Sequence, residues 1–481
     1  MRGPSDPHRA PVLVDGLHLV VKKDCPTCEA IIPAVRQLAD AGPLTVWTQD
    51  DPGFPDGIAA THDADLAMSW HHGIETVPTL LRVDAGTELD RLVGWERGQW
   101  ERFTGVVDLA PELSDWMPGC GSLSVDPSLV DELAFRFGAS SLRGRRVEFA
   151  AAEDEAEAMY DLGWTDGLPV VAPTPARVER MLSGTVREPQ EVVAVVPPNL
   201  AEATVEKVAI NAVMAGCRPD YLPVVLAAVE AACTDRFNMH GLLCTLWFSG
   251  PVVIVNGPVR REIGMNTGRN AMGQGNRANS TIGRALQLVI RNVGGGKPGE
   301  VGIDRAALGS PSKVGWCFPE DEEALPPRWP SLAVERGFGP EDSTVTLFAG
   351  HGPSGIVDQT SRTPEALLDS FAGRLLATGN TRQPSEAMVV LTPEHQRVFA
   401  DAGWTKQQFH DELAARLVID PSIAEAGISG GAVPEGGTPK FRPGSLLVVR
   451  TGGDAGAFSA IIEGWIGGRT GSEPITVKIR D

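Results

Sequence analysis

The chain has 481 residues, 42% hydrophobic and 22% charged, with a formal charge of −20. That length predicts two or three domains, and the acidic balance disfavours nucleic acid and anionic membrane surfaces as partners. No apolar run reaches the roughly 18 residues of a transmembrane helix.

Residues 1–16, MRGPSDPHRAPVLVDG, lack the apolar core of a secretory signal. A cytoplasmic location is the expectation, with the seven cysteines held mostly as thiols. Glycine (54) and proline (38) are abundant while apolar segments recur throughout, which indicates many turns and short loops.

LHLVVKK (17–23) is short, apolar and β-branched and reads as a strand. Cys25 and Cys28 follow in a C-x-x-C, and Ile31, Ile32, Val35, Leu38 and Ala39 then recur at helical spacing until Gly42. Cys25 is thus expected at a strand-to-helix turn with Cys28 one helical turn on, where backbone N–H groups and the helix dipole favour a thiolate. Dithiol exchange needs this pairing of an attacking thiol with a resolving one. A C-x-x-C can also be half of a zinc site, but the chain has no second C-x-x-C and no H-x-x-x-H, so the redox reading is the stronger.

LTVWTQD (44–50) reads as a strand, DADLAMSWHHG (63–73) as a helix whose end carries solvated His71 and His72, VPTLLRVD (77–84) and ELDRLVGW (88–95) as strands, and RGQWERF (97–103) as a helix. The order β-α-β-α-β-β-α, the C-x-x-C after the first strand, Pro33 in the following helix and Val77-Pro78 opening a later strand resemble the thioredoxin fold over residues 1–107. The resemblance implies Cys25 as attacking thiol, Cys28 as resolving thiol and Pro78 as a cis-proline beside them. The chain departs from that family in Pro26-Thr27 between the cysteines and in Asp24 before them, a carboxylate that opposes thiolate formation; a degenerate, inactive thioredoxin fold is the alternative.

Residues 108–160 are rich in proline, aspartate and glycine and read as a linker with short helices. Cys120 lies there in PGCGSLS, a turn of small residues before LVDELAFRF (129–137), a helix that Asp126 or Ser128 can cap. Such a thiol is open to solvent and near backbone N–H donors, which suits a reactive cysteine; the alternative is a loop cysteine with no role. AAAEDEAEAMYDLG (150–163) reads as an acidic helix with solvated charges.

From residue 161 strands and helices alternate. VVAVVPP reads as a buried strand, and GPVVIVNG, STVTLFAG, EAMVVLTP and GSLLVVRTGG as further strands. Helices are expected over EATVEKVAINAVMAGC, RPDYLPVVLAAVEAACTD, NSTIGRALQLVIRNVGGG, PEALLDSFAGRLLATG, PEHQRVFADAGW and TKQQFHDELAARL. The predicted class is α/β: an N-terminal thioredoxin-like fold followed by a larger α/β domain, 161–481, with a mixed or parallel sheet.

The stretches GWTDGLPVVAPTPARVERML, EKVAINAVMAGCRPDYLPVVLAAVEA, VIVNGPVRREIGMNTGRNAMGQGNRANSTIGRALQLVIRNVGG and PEHQRVFADAGWTKQQF are similar to a group of bacterial proteins termed UGSC-like, over about residues 115–481. Some of that group carry selenocysteine in a U-G-S-C motif. Cys120-Gly121-Ser122 matches its first three positions, and Leu123 replaces the last cysteine. The resemblance implies a catalytic Cys120 whose resolving thiol comes from elsewhere, and the C-x-x-C is the obvious supplier.

The glycine- and asparagine-rich loop 256–284 precedes a helix N-terminus and adds positive charge to an acidic chain. Asn266, Arg269, Asn270, Asn276, Arg277 and Asn279 are the candidate binders of a small polar or anionic substrate. The alternative is a structural crossover that packs helix on sheet.

No cofactor or metal motif is present. GGGKPGE lacks the Ser or Thr of a P-loop, GHGPSGI does not complete G-x-S-x-G, and neither a strand-linked G-x-G-x-x-G nor H-E-x-x-H occurs. Cys217, Cys233, Cys244 and Cys317 read as small hydrophobes, with Cys217 the best exception.

The combined expectation is a thiol-dependent oxidoreductase whose C-x-x-C reduces Cys120, with the body acting on a small polar substrate. The alternatives are a protein disulfide reductase with a client-binding body and a non-enzymatic, thiol-regulated binding protein. Expected partners are a small-molecule or thiol/disulfide substrate and an external electron donor, with a second copy of the chain as a further candidate.

Overall fold

In the computed structural model of this chain the described residues are 11–137, 142–145, 147, 149, 154–299, 303–424, 435–454, 456–466 and 471–480. The chain divides into two compact units, residues 1–141 and 142–481, and each is an α/β assembly.

The first unit contains β1 (Gly16–Val21), β2 (Leu44–Thr48), β3 (Ala60–His62), β4 (Thr76–Val77), β5 (Thr79–Asp84), β6 (Thr87–Val93), β7 (Trp95–Glu96), β8 (Trp116–Met117) and β9 (Cys120–Gly121). Five of these form one sheet in the order β3-β2-β1-β5-β6. β1, β2 and β3 run parallel, while β5 is antiparallel to both β1 and β6. Leu19, Val20 and Val21 are all buried, as an unbroken apolar run requires of a central strand covered on both faces.

The helices are α1 (Pro26–Ala30), α2 (Ile32–Ala41), α3 (Ala67–His71), α4 (Arg97–Thr104) and α5 (Val130–Phe137). The helix expected after the dithiol is therefore split at Ile31. Pro33 falls in the first turn of α2, where a missing N–H costs the helix no hydrogen bond of its own.

The expected domain boundary at residue 107 is displaced to 141, and the physical reason is strand pairing. β8 pairs antiparallel with β7, and β9 pairs antiparallel with β4, matching Val77 to Cys120 and Thr76 to Gly121. The Ser122 N–H donates to Glu75 O at 3.0 Å. Leu133 and Phe137 of α5 then cluster with Leu66, just before α3, and with Trp70 within it. The first part of the supposed linker is thus an integral layer of the first unit. Of the expected acidic helix, residues 154–163 are described and the helix spans Glu155–Asp161; residues 150–153 lie outside the described residues.

The second unit contains β10 (Val192–Val196), β11 (Ala201–Thr204), β12 (Gly250–Asn256), β13 (Trp316–Pro319), β14 (Thr344–Val357), β15 (Ser385–Leu391), β16 (Val418–Ile419), β17 (Thr438–Pro439), β18 (Phe441–Arg450), β19 (Phe458–Gly464) and β20 (Ile475–Lys478). VVAVVPP is not a buried strand of the main sheet. It forms an antiparallel pair, β10 with β11, and Val192 and Val195 are exposed.

The main sheet runs β13-β12-β14-β19-β15-β18, with β20 also on β14. It is mixed: β12 with β13 and β15 with β18 are parallel pairs, and the other ladders are antiparallel. β14 is the spine. Its first half pairs with β12 and β20, and after an irregularity between Gly350 and Pro353 its second half pairs with β19. The sequence reading ends this strand at Gly350; the irregularity lets the strand continue through GHGPSG.

The sheet curls. Val252, Trp316, Phe348, Met388, Leu447 and Ile462, from six different strands, meet in one interior cluster. The residues after β13 return against the end of β18, where the Asp321 N–H donates to Arg450 O at 2.8 Å. Buried Lys406 lies beside this seam, 4.0 Å from Glu320 and 2.7 Å from Glu335. Two separate apolar clusters lie on the outer face, one with helices 205–215, 222–232 and 277–292 and one with helices 364–376 and 406–416.

Gly119 is the tightest point in the layer that carries Cys120: a Cβ there would lie 2.2 Å from Thr76 Cγ2 and 3.1 Å from Val77 O. Gly119→Ala is therefore expected to destabilise the first unit by about 1–3 kcal/mol. Gly121→Ala, which meets nothing within 4 Å, should stay within about 0.5 kcal/mol of the native chain. Urea unfolding of the two variants measures the difference, and equal midpoints would contradict this packing.

Candidate active site

Cys25 is the N-cap of α1, and Cys28 lies in that helix's first turn, its N–H 3.4 Å from Cys25 Sγ. β1 delivers Cys25 to the end of the sheet. Facing it is the bend between β4 and β5, where the Val77–Pro78 bond is cis. Val77 O lies 3.7 Å from Cys25 Sγ.

β9 lies along β4, and this ladder sets Cys120 Sγ 2.7 Å from Cys25 Sγ. All three thiols are free. Cys25 and Cys28 are both 1% exposed, whereas Cys120 is only partly buried. Cys25 is thus not open to a partner's direct approach, because the strand that carries Cys120 lies over it.

Cys120 is held from several sides. Thr27 Oγ1 donates to Pro118 O at 2.6 Å. Buried Gln49 donates to Ser122 Oγ and to Ser69 Oγ, both at 2.7 Å, and accepts the Leu123 N–H at 3.1 Å. The Ser69 hydroxyl and N–H in turn donate to Asp63 at 2.6 and 2.9 Å. Ser124 Oγ donates to Ile74 O. The serine of the Cys-Gly-Ser turn is thus an anchor for the turn. Gln49, Ser69 and Asp63 were missed by sequence reasoning, since a polar residue after a strand carries no mark of the partner it will meet 73 residues later.

The electrostatics of the three sulfurs are distinct. The Cys25 thiol is pulled down to about 5, first by the hydrogen bond from Cys28 and then, against the opposing cost of burial, by the one from Cys120 and by the backbone N–H groups of Cys28 and Thr27. Cys28 is pushed up, chiefly by that same bond to Cys25 and then by burial. Cys120 is raised by burial and by its bond to Cys25. One thiolate with two S–H donors is the resulting charge state at neutral pH. Asp24 is exposed, with its N–H on Asp50 Oδ2 at 2.9 Å, so water screens a carboxylate that the sequence alone marks as an opponent of the thiolate.

The structure brings Cys25, Cys28, Pro78 and Cys120 into one site inside the first unit. The six candidate residues of the second unit form a separate group, with Arg277 and Asn279 inside the helix 277–292 and not in the loop before it, and most of their polar atoms hold this segment to itself. Asn279 binds Asn266 O, Ala271 O and the Asn266 N–H; Asn276 caps the helix at the Asn279 N–H and holds Gly264 O; Asn266 binds Arg269 O. Arg277 donates to Gly216 O at 2.7 Å, and exposed Arg269 pairs with Asp454 at 3.5 Å. Of the six, Asn270 lines a cleft of about 220 Å³. Cys217 and Cys233 are pushed up to about 12 by burial, Cys317 is also pushed up, and only Cys244 is exposed.

Among the described residues no group of three or more His, Cys, Asp and Glu could hold a metal ion, and no helix is long and apolar enough to cross a membrane. Comparison with family models, with curated proteins and with solved structures gives no match to this chain.

In the reduced protein, thiolate absorbance should rise as pH passes upward through about 5, with Cys25 protonated below that point and ionised above it. Cys25→Ser removes the step. Cys120→Ala moves it upward, because one S–H donor to the thiolate is lost. An ultraviolet titration with its first step only near the ordinary thiol value of about 8.5 would contradict this charge state.

Proposed function

We propose that the chain is a thiol–disulfide oxidoreductase with a three-sulfur relay, in which Cys120 meets the substrate, Cys25 reduces Cys120 and Cys28 resolves. The observation that carries this reading is the 2.7 Å approach of Cys120 Sγ to a buried Cys25 Sγ. The sheet order and the position of Pro78 beside the dithiol support a thioredoxin-like first unit. The Cys-Gly-Ser turn at 120–122 supports the UGSC-like reading of Cys120.

With a disulfide substrate the electrons balance as follows. Cys120 passes its proton to the Cys25 thiolate and attacks one substrate sulfur, and the other leaves as a thiolate that takes up a proton. Cys25, its proton lost to water, attacks Cys120 Sγ and expels the second substrate thiolate, forming a Cys25–Cys120 bond. Cys28 then attacks Cys25 and releases Cys120, leaving a Cys25–Cys28 disulfide for an external dithiol to reduce. The attack by Cys28 becomes easier at that stage, because the main cause of its raised pKa, the bond to the Cys25 thiolate, has gone. A sulfenate on Cys120 enters the same sequence at the second step, with hydroxide as the leaving group.

A reductase that attacks clients directly through Cys25 needs that sulfur exposed, and its burial at 1% exposure argues against it. The relay also suits a reducing compartment such as the cytoplasm, where all seven cysteines persist as thiols.

Mass spectrometry after mild oxidation tests the order of transfer. Cys28→Ser should accumulate a Cys25–Cys120 bond, while the native chain accumulates Cys25–Cys28. Cys120→Ser should lower the reduction of hydroxyethyl disulfide, with dithiothreitol as donor, by roughly two orders of magnitude or more. The relay is excluded if Cys28→Ser yields no Cys25–Cys120 bond, or if Cys120→Ser turns over at the native rate.

A further inference from the structure

We propose that the second unit binds a small uncharged molecule, with an apolar body and a hydrogen-bond donor, in the cleft at the mouth of its curled sheet. The cleft measures about 220 Å³, below the roughly 300–1,000 Å³ of drug-sized sites. It opens over the ends of β15 and β18 and the start of β19, with the 270–272 segment of the glycine-rich loop as its other wall. Mouths of curled and closed sheets are recurrent ligand sites, because the strand ends hold their walls rigid.

The walls fix the class of ligand. Val390, Ala460 and Met272 continue the apolar interior of the sheet outward. Phe458 lines the cleft and is 44% exposed, an aromatic face left open to solvent at the rim. None of the lining side chains is titratable. A carboxylate or phosphate entering the cleft would lose water without gaining a counter-charge, a cost of several kcal/mol or more. The anionic substrate expected for this loop therefore does not suit the cleft the loop lines.

The polar lining atoms are mostly committed. Thr392 Oγ1 donates to Phe458 O, Thr451 Oγ1 donates to Thr267 O at 3.2 Å, and Ser459 Oγ pairs with His395 Nδ1 at 2.8 Å. Strand alternation puts the Ser459 side chain on the opposite face from Phe458 and Ala460, so this Ser–His pair does not offer a nucleophile to the cleft. Asn270 is the exception. Its Nδ2 donates to Gln274 O at 2.5 Å, and its Oδ1 accepts no hydrogen bond among the described residues. A Cβ on Gly273 would lie 2.2 Å from that oxygen, so the glycine leaves room for the amide where it stands. Asn270 is exposed, so this carbonyl is a solvated acceptor at the rim of the cleft, and a ligand that carries an O–H or N–H can replace its water.

The test is a ligand-observed NMR titration of the full chain with three probes: benzyl alcohol, indole and benzoate. Benzyl alcohol and indole should bind saturably, and benzoate at least roughly tenfold more weakly. Phe458→Ala, at an exposed position that leaves the core intact, should weaken both neutral probes severalfold. Asn270→Gly keeps the left-handed backbone of that residue (φ 63°) and should weaken them roughly fivefold. Ala460→Phe should abolish binding while thermal unfolding stays cooperative; should it misfold, the other two variants decide. No saturable binding of either neutral probe, benzoate binding as tight as benzyl alcohol, or native affinity in both Phe458→Ala and Asn270→Gly would overturn the proposal.

Discussion

The candidate site depends on one short antiparallel ladder, Thr76–Val77 against Cys120–Gly121. Two residue pairs carry little pairing energy alone, so the ladder persists only because both sides are fixed elsewhere. On one side, β1, β5 and the turn before α1 place Val77 and Cys25. On the other, Gln49 ties Ser122 and Leu123 to Ser69, and Thr27 ties Pro118 to the dithiol helix. The same ladder brings the third sulfur close and lies over Cys25. Proximity and protection have a single cause.

The second unit solves a different problem. A mixed sheet of this size has two apolar faces to cover, and helices can cover only the outer one. Curling lets the inner face cover itself, and the six-strand interior cluster is the outcome. The seam at which it returns is polar: Asp321 meets Arg450, and Lys406 sits between Glu320 and Glu335. Buried charges of this kind are expensive to desolvate and favour one geometry over near alternatives. The mouth beside the seam is where the glycine-rich loop ends up, held by Gly452 N–H and Thr451 Oγ1 on Thr267 O.

Much of this was legible in the sequence. The α/β class came from alternation, and helices 277–292, 364–376 and 406–416 carry their periodicity openly. The C-x-x-C at a strand-to-helix turn was legible from the strand and helix patterns that flank it, although its spacing alone also fits half of a zinc site. What could not be read was long-range pairing. PGCGSLS looks like a linker turn, because a two-residue strand leaves no periodic signal, and its partner lies 43 residues earlier on a strand equally short. β14 was cut short at GHGPSG because an irregularity inside a strand has the composition of a turn. The loop 256–284 drew attention through residue types that suit ligand binding. The same amides suit a loop that must satisfy its own backbone, and only the fold distinguishes the two uses.

Cys25 and Cys120 stand 95 residues apart in the chain, whereas Cys25 and Cys28 are three apart. In the chain-entropy description, a bond across the long separation removes about 4–5 kcal/mol of freedom from the unfolded chain, and one within the C-x-x-C about 2. The two disulfides of the proposed relay are therefore unequal as fasteners. The transient Cys25–Cys120 form would be the hardest state of this unit to unfold, and resolution by Cys28 would return the layer bearing Cys120 to its hydrogen bonds and apolar packing.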